Sequence, residues 1–422
     1  MNVQQMQDWL KDSEGAEKLT KLYGEKALKH QQERWNTLLA RFEGDRENVS
    51  LFSAPGRTEI GGNHTDHQQG RVLAAAINLD TAAVAAKNDD MVIRYTSSGF
   101  TVKPVDLRDL SVREDEVNTT ESLIRGIAAG FAQRGYQIGG FDITAESDVL
   151  PGSGMSSSAA FEVLIGTALS HLYNEGKVSA VEIAIIGQYA ENAYFGKGSG
   201  LMDQTASSCG GCVAIDFGNP ADPVIETLKW DLHEDGLALV LTDCKQSHAD
   251  LSGDYTEIPN EMNAAAKVCG YEHLNMVDME TLLNNAVRIR EACGDRAFLR
   301  AYHFVNETER ARLEAESLKQ HDTRRLLSLI RESGNSSWKY LQNISVPRDI
   351  THQSLAVGLA LTDMVLKERG ASRVHGGGFA GTIQAFVPED LLAEYITTME
   401  SVFGKGCSYV LQIREEGGIC VR

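Results

Sequence analysis

Three short segments of the 422-residue chain carry the side chains whose types and spacing could do chemistry. The first runs from Asp148 to Ala160 and reads DVLPGSGMSSSAA. Gly152 and Gly154 let the backbone approach a ligand where a Cβ would often obstruct it. Ser156, Ser157 and Ser158 then stand at a helix start, where unpaired N–H groups and the positive dipole end favour an anion. The loop, with Ser153 and Met155 in it, is shaped to hold phosphate. No Lys-Ser or Lys-Thr pair follows the glycines, so it is not a Walker A loop. A Gly/Ser turn with an ordinary serine N-cap is the plainer reading, and this stretch by itself does not separate the two.

The second segment, APGRTEIGGNHTDH, places Arg57, Asn63, His64, Asp66 and His67 on one glycine-bounded loop. Arginine offers a fixed fork of donors, and Asn, His and Asp add mixed donors and acceptors. That set suits a ligand with several hydroxyl groups. Two rivals remain at this level: a metal held by His64, Asp66 and His67, whose spacing matches no familiar site, and a solvated turn. The third segment, AENAYFGKGSGLMDQ, carries Glu191 on a helix and Asp203 just past a glycine loop, at a new helix start. The dipole and local N–H groups hold such a carboxylate in its charged form. It could serve as a general base beside an arginine and a substrate hydroxyl, or simply cap a helix. Farther on, HGGGFAGT (375–382) either brings backbone N–H groups toward a phosphate or makes a tight turn.

The elements that must position these groups follow from periodicity. One or two amphipathic helices are predicted over 2–42, and a strand over 50–62 ending in the polar turn 63–70. Paired strands are predicted over 72–88, a strand over 91–100 and a helix over 120–134. A strand at 139–146 leads into the Gly/Ser loop and its helix, and Ser179 is a plausible cap for the next helix, 178–195. A short helix follows the glycine loop, with strands at 211–216 and 237–242. Helices are predicted at 259–269, 278–292, 295–319, 322–333 and 352–369, two late strands frame HGGGFAGT, and a strand closes the chain at 408–414. Strands and helices mix in both halves without regular βαβ alternation, which predicts an α+β fold. The domain boundary falls near 218–222, giving domains 1–220 and 221–422.

Composition excludes some classes of partner. With 42% hydrophobic and 23% charged residues the chain reads as an ordinary globular protein. Its formal charge of -19, from 59 acidic and 40 basic side chains, argues against nucleic-acid or anionic-membrane partners. Seven scattered cysteines, with only Cys209 and Cys212 closely spaced, read as buried thiols in a reducing compartment. The polar, acidic start lacks the apolar core of a signal peptide, and Asn78 and Asp80 interrupt the longest apolar run. A cytoplasmic, monomeric protein is expected.

Taken together, these segments resemble the galactokinases of the GHMP sugar and metabolite kinase superfamily. The family motif PGRVNLIGEHTDY is similar to PGRTEIGGNHTDH at 55–67, and PxGxGLSSSA to PGSGMSSSA at 151–159. GxMDQ is similar to GLMDQ at 200–204, and the C-terminal glycine motif to HGGGFAGT. The order and separations also fit, over essentially the whole chain after the N-terminal helices. The resemblance implies an N-terminal domain like the second domain of ribosomal protein S5 and a ferredoxin-like C-terminal domain closing a cleft. It implies transfer of the γ-phosphoryl of ATP to the anomeric hydroxyl of galactose. Asp203 would then be the base, and Arg57 would hold it ionised. Gly152, Ser153, Gly154, Met155, Ser156, Ser157 and Ser158 would wrap the triphosphate, with Ser158 and Glu191 on Mg²⁺ and Ser97 touching the nucleotide. Asn63, His64, Thr65, Asp66 and Tyr255 would read the sugar.

The departures lie in the sugar motif. Asn63 stands where the family has Glu, Thr58-Glu59 where it has Val-Asn, and His67 where it has Tyr. They leave open a sister kinase acting on N-acetylgalactosamine, galacturonate or arabinose. A non-catalytic galactose and ATP sensor would be expected to lack the base or the serine loop, and both are present.

Overall fold

The computed structural model describes residues 1–149, 154–220, 222–245 and 251–422. One strand, Arg71–Lys87, carries the larger sheet. Paired strands are the sequence expectation over 72–88. The strand instead runs straight through, and its halves take different neighbours. Arg71–Ala75 pairs with Cys212–Asp216, Thr81–Lys87 pairs with Phe141–Ser147, and Ser50–Gly61 lies antiparallel along the opposite edge. Val92–Ser97 extends this sheet in parallel with Phe141–Ser147, which makes it mixed.

The small residues of the long strand follow from burial on both faces. Successive side chains alternate, so Ala83 and Ala85 face the helices Thr120–Gln133, Ser157–Asn174 and Ala180–Ala190. Ala82, Val84 and Ala86 face the N-terminal helices. Those number three, Val3–Trp9, Ser13–Tyr23 and Leu28–Arg41.

Asp80 is fully buried and holds three parts of the chain together. Arg34 of the third N-terminal helix donates to Asp80 Oδ1 at 2.7 Å, and Tyr23 donates to Oδ2 at 2.7 Å. Arg414, near the end of the chain, reaches Oδ2 at 3.3 Å, and Ser53 donates to it as well. The residue that interrupts the apolar run is a buried counter-ion.

The second sheet has the order Ala371–Val374, Thr382–Pro388, Leu237–Asp243, Ser408–Leu411, all antiparallel. With its helices it reads β-α-β-β-α-β along the chain, the ferredoxin-like topology. Ala238, Val240, Ile383 and Ala385 pack under the helices Ser354–Leu366 and Leu392–Phe403. Leu237, Leu239, Leu241 and Phe386 on the other face share a core with Ile60, Leu73, Ala75 and Ile77 of the first sheet. Ile419–Cys420 returns to pair with Ser50–Gly61, and Val224–Leu228 extends the first sheet beside Cys212–Asp216.

Several helix boundaries differ from expectation. The helix predicted from 259 begins at Ser252 and runs to Val268 with Pro259 inside it, at the loss of one helical hydrogen bond. The helix predicted over 278–292 is divided at Asn285 into Met279–Asn284 and Ala286–Cys293. No helix among the described residues is long and apolar enough to cross a membrane.

Asp80→Asn is expected to destabilise the fold by about 3 kcal/mol, because it leaves Arg414 buried without its counter-ion and Arg34 with only the part-exposed Asp148. Burial opposes ionisation of Asp80, but Arg34 and Arg414 outweigh it and hold the carboxyl below the usual range. A depressed folded-state value gives stability that is present above the ordinary aspartate range and lost as the pH falls below it. Urea unfolding should therefore show a wild-type advantage at neutral pH that closes on acidification; a variant as stable as wild type at pH 7 would refute the role.

Candidate active site

The strand Ser50–Gly61 presents Arg57 through a break in its register between Pro55 and Arg57. Such irregularities bend a strand and re-aim a side chain. Gly56 makes the approach possible, since a Cβ there would lie 2.9 Å from the Met155 carbonyl oxygen. Arg57 then holds three elements at once. Its backbone N–H donates to Met155 O at 3.0 Å, and its Nη1 donates to Gly154 O. Nε and Nη2 reach the two oxygens of Asp203, each at 2.7 Å, in a bidentate pair.

Asp203 sits in the first turn of the helix Met202–Cys209. Ser156 donates to its Oδ2. Burial would push the Asp203 carboxyl up; the charge and hydrogen bonds of Arg57 and the Ser156 bond outweigh it and hold it below the usual range. It is an anion at neutral pH with part of its surface still open.

Ser156 is also the residue that precedes the helix Ser157–Asn174, in left-handed conformation at φ 60°. It makes no side-chain cap, because its hydroxyl is turned to Asp203. The plainer reading of this stretch, an ordinary serine cap, does not hold, and the first-turn N–H groups have no side-chain acceptor at the cap. That is the condition under which a helix start takes an anion. Gly154 has φ 77° and adjoins His375, whose Nδ1 would lie 3.0 Å from a Cβ built there. Gly152 and Ser153 lie outside the described residues. Met155 is fully buried in the core shared by the two sheets, so only its backbone could face a ligand.

Ser158 heads the same helix, with Glu162 one turn farther along the same face. Gln204, next to Asp203, donates from one nitrogen to Glu162 at 2.9 Å and Glu191 at 3.0 Å. Lys197 of the glycine loop reaches Glu191 at 3.2 Å. Burial, with Glu191 close by, pushes the Glu162 carboxyl well above the usual range. This link between Glu162 and Glu191 through Gln204 was not legible in the sequence. Among the described residues no group of three or more His, Cys, Asp or Glu could hold a metal by itself. Ser97 ends the strand Val92–Ser97 two residues after Tyr95, whose ring packs edge-on against Phe161 near the helix start, 5.1 Å between centroids.

The sugar-motif residues divide into two groups. His64, at φ 57°, donates from Nε2 to Gly377 O at 3.0 Å, which leaves Nδ1 to accept. Tyr255, on the helix Ser252–Val268, donates to Gly378 O at 2.9 Å, and burial pushes its phenol up to about 12, so it stays protonated. Asp66 lies against Gly200, where a Cβ would be 2.5 Å from its Oδ2. Burial, with the Asp203 charge adding, raises the Asp66 carboxyl. Thus the segment HGGGFAGT touches both the phosphate-loop side, through His375, and the sugar-loop side, through Gly376–Gly378.

Asn63 and Thr65 are placed differently from expectation. Both are fully buried. Asn63 donates to Glu59 Oε1 at 3.0 Å and Gly376 O at 2.9 Å and accepts from Asn343 at 2.9 Å and Ser337 at 3.2 Å. Its amide has no capacity left for a ligand. Thr65 donates to Gly62 O at 2.8 Å and Arg71 O at 2.6 Å, closing its own turn. His67 is half-buried, and desolvation with the nearby His64 pushes it down to about 3, so it stays neutral.

Two family models match the chain. Residues 122–211 match the GHMP kinases N terminal domain, and residues 39–87 match the galactokinase galactose-binding signature. Among solved structures, the chain is similar to Lactococcus lactis galactokinase complexed with galactose, at 23% identity and a TM-score of 0.76, covering 93% of this chain and 100% of that one. It is also similar to Methanococcus jannaschii mevalonate kinase, at 15% identity and 0.62, covering 87% and 99%. A D-glycero-D-manno-heptose 1-phosphate kinase from Bacteriodes thetaiotaomicron matches at 17% and 0.59, covering 88% and 98%. Residues 122–211 thus carry the GHMP kinases N terminal domain, and the chain has the two-domain mixed fold of these solved kinases. Within that class its sugar-side segment is that of a galactokinase.

Ser156→Ala removes one donor to the ionised form of Asp203 and should raise that carboxyl toward its ordinary value. The expected outcome is an upward shift of the Asp203 titration, followed by carboxyl-carbon NMR. An unchanged titration would mean that Arg57 alone sets its charge.

Proposed function

We propose that this protein is an ATP-dependent galactokinase, in which Asp203 takes the proton from the anomeric hydroxyl of galactose as that oxygen attacks the γ-phosphoryl of ATP. The observation that carries this is the bidentate hold of Arg57 on Asp203 beside an uncapped helix start. A kinase of this kind needs positioning and charge compensation more than covalent chemistry. Asp203 supplies an ionised acceptor, and Arg57 keeps it ionised while offsetting charge on the moving group. The N–H groups opening the helix Ser157–Asn174 hold the triphosphate, with Gly152, Ser153, Gly154 and the serine hydroxyls. Ser97 lines the nucleotide.

His64 and Tyr255 take the sugar hydroxyls as acceptors, since each already donates to the HGGG turn, and Asp66 takes them through its carboxyl. The neighbouring Lactococcus structure, which holds galactose, supports the choice of sugar, as does the galactose-binding signature over 39–87. The sister sugars were kept open by Asn63, and its amide is engaged within the protein.

Mg²⁺ is expected with the nucleotide. It prefers one or two carboxylates together with phosphate oxygens and water, and Glu191 with the Ser158 hydroxyl fits that donor set. The ion would neutralise triphosphate charge. The seven unpaired thiols suit a cytoplasmic setting, and we place the boundary between the two domains near 218–222.

Asp203→Asn keeps the shape of the side chain and cannot take a proton. A coupled assay with ATP and galactose should show kcat lowered by about 10²–10⁴, with galactose binding by calorimetry little changed. Retention of more than about a tenth of wild-type kcat would remove Asp203 as the base. The same assay over a sugar panel tests the substrate, since wild-type protein that ignores galactose and phosphorylates another hexose would overturn it.

A further inference from the structure

We infer that Glu59 and Asn63 form an exchanged carboxylate–amide pair that positions the Arg57 strand and the His64 loop, and that residue 63 does not select the sugar. This rests on the galactokinase reading above. The family motif PGRVNLIGEHTDY has an amide at the position of Glu59 and a carboxylate at that of Asn63. This chain has the two side-chain types in the opposite order. Taken singly, each departure looks like a change in the ligand site. In the structure the two side chains touch, with Asn63 Nδ2 donating to Glu59 Oε1 at 3.0 Å, and both are buried.

Their partners explain why the exchange must be reciprocal. Arg373, fully buried on the strand Ala371–Val374, donates to Glu59 Oε1 at 2.5 Å and to Ile60 O at 2.6 Å. One carboxylate balances one guanidinium. The neighbouring charges are already matched, since Glu307 pairs with Arg310. Glu314, packed against Gly61, has no hydrogen-bond partner for either oxygen. A second carboxylate at 63 would find no cation, and it could not donate to Gly376 O or to Glu59. Removing Glu59 alone would take from the buried Arg373 the carboxylate it is paired with, the more costly way to break such a pair.

Thr58, the third departure, belongs to the same seam. Its hydroxyl meets His375 Nε2 at 3.1 Å and accepts from Gln384 at 2.5 Å. Positions 58, 59 and 63 therefore all face the second sheet across the contact between the two sheets. They bracket Arg57 on one side and His64 on the other, so they act through those two residues.

The test is a double-mutant cycle of wild type, Glu59→Asn, Asn63→Glu and the double variant, read by Tm and by kcat and KM for galactose and ATP. Each single variant should lose Tm and lose at least about tenfold in kcat/KM for galactose, whereas the double variant should return to within about threefold of wild type. Asn63→Glu alone matching or exceeding wild type on galactose would overturn the inference, because residue 63 would then read the sugar directly. So would losses in the double variant equal to those of the singles combined. If the single variants are insoluble, a soluble, active double variant supports the pair and an insoluble one refutes it. Wild-type protein inactive on galactose would fail the functional reading, and the Tm cycle would still decide the pair.

Discussion

A guanidinium fixed on a buried strand must be surrounded by acceptors, and that requirement organises the site around Arg57. The side chain is nearly buried and cannot lose its charge. Its partners come from far along the chain: two oxygens of Asp203, 146 residues away, and the carbonyl of Gly154, 97 residues away. Satisfying one arginine therefore fixes the strand, the glycine–serine loop and the helix start at Met202 relative to one another. Ser156 completes the arrangement, because a hydroxyl committed to Asp203 is unavailable to cap its own helix.

The same geometry resolves a conflict in the charge of the chain. A protein at -19 repels a triphosphate at long range, yet screening at physiological salt confines that repulsion to roughly 8 Å. Around Asp203 the local balance differs. Arg57 and Lys197 lie beside the serine helix and its uncapped N–H groups, and each lowers the Asp203 carboxyl. Short-range donors decide binding there, and net charge decides only which large polyanions stay away.

How much of this was legible in the sequence depended on whether the signal was local. Arg57, Asp203 and the serine loop could be found because backbone freedom, dipole and side-chain type all sit within a few residues. The α+β class and the two late strands were legible from periodicity in the same way. What failed was long-range. Asp80 showed only as an interruption of an apolar run because its counter-ions, Arg34 and Arg414, lie 46 and 334 residues away. Asn63 read as a ligand contact because its four partners come from positions 59, 337, 343 and 376. Gln204 went unread for the same reason: the need to hold Glu162 and Glu191 together appears only once two helices meet. Polar residues near a motif carry two possible meanings, and only packing separates them.

Asp66 and Asp203 show how the fold assigns different tasks to like groups. Both carboxyls border the glycine loop 196–200 side of the cleft, and each feels the other. Burial acts on both in the same direction. Arg57 and Ser156 reverse it for Asp203 alone, while Asp66 has only the weaker opposing pull of His64 and local backbone N–H groups. Two carboxyls whose environments push them apart can serve as one strong acceptor and one hydrogen-bonding group. The proposed base is thus defined less by its own residue type than by the arginine opposite it. A carboxylate in the GLMDQ motif without that arginine would feel the same burial and would rise with Asp66, so the charge of the proposed base is set by the pairing of 57 with 203.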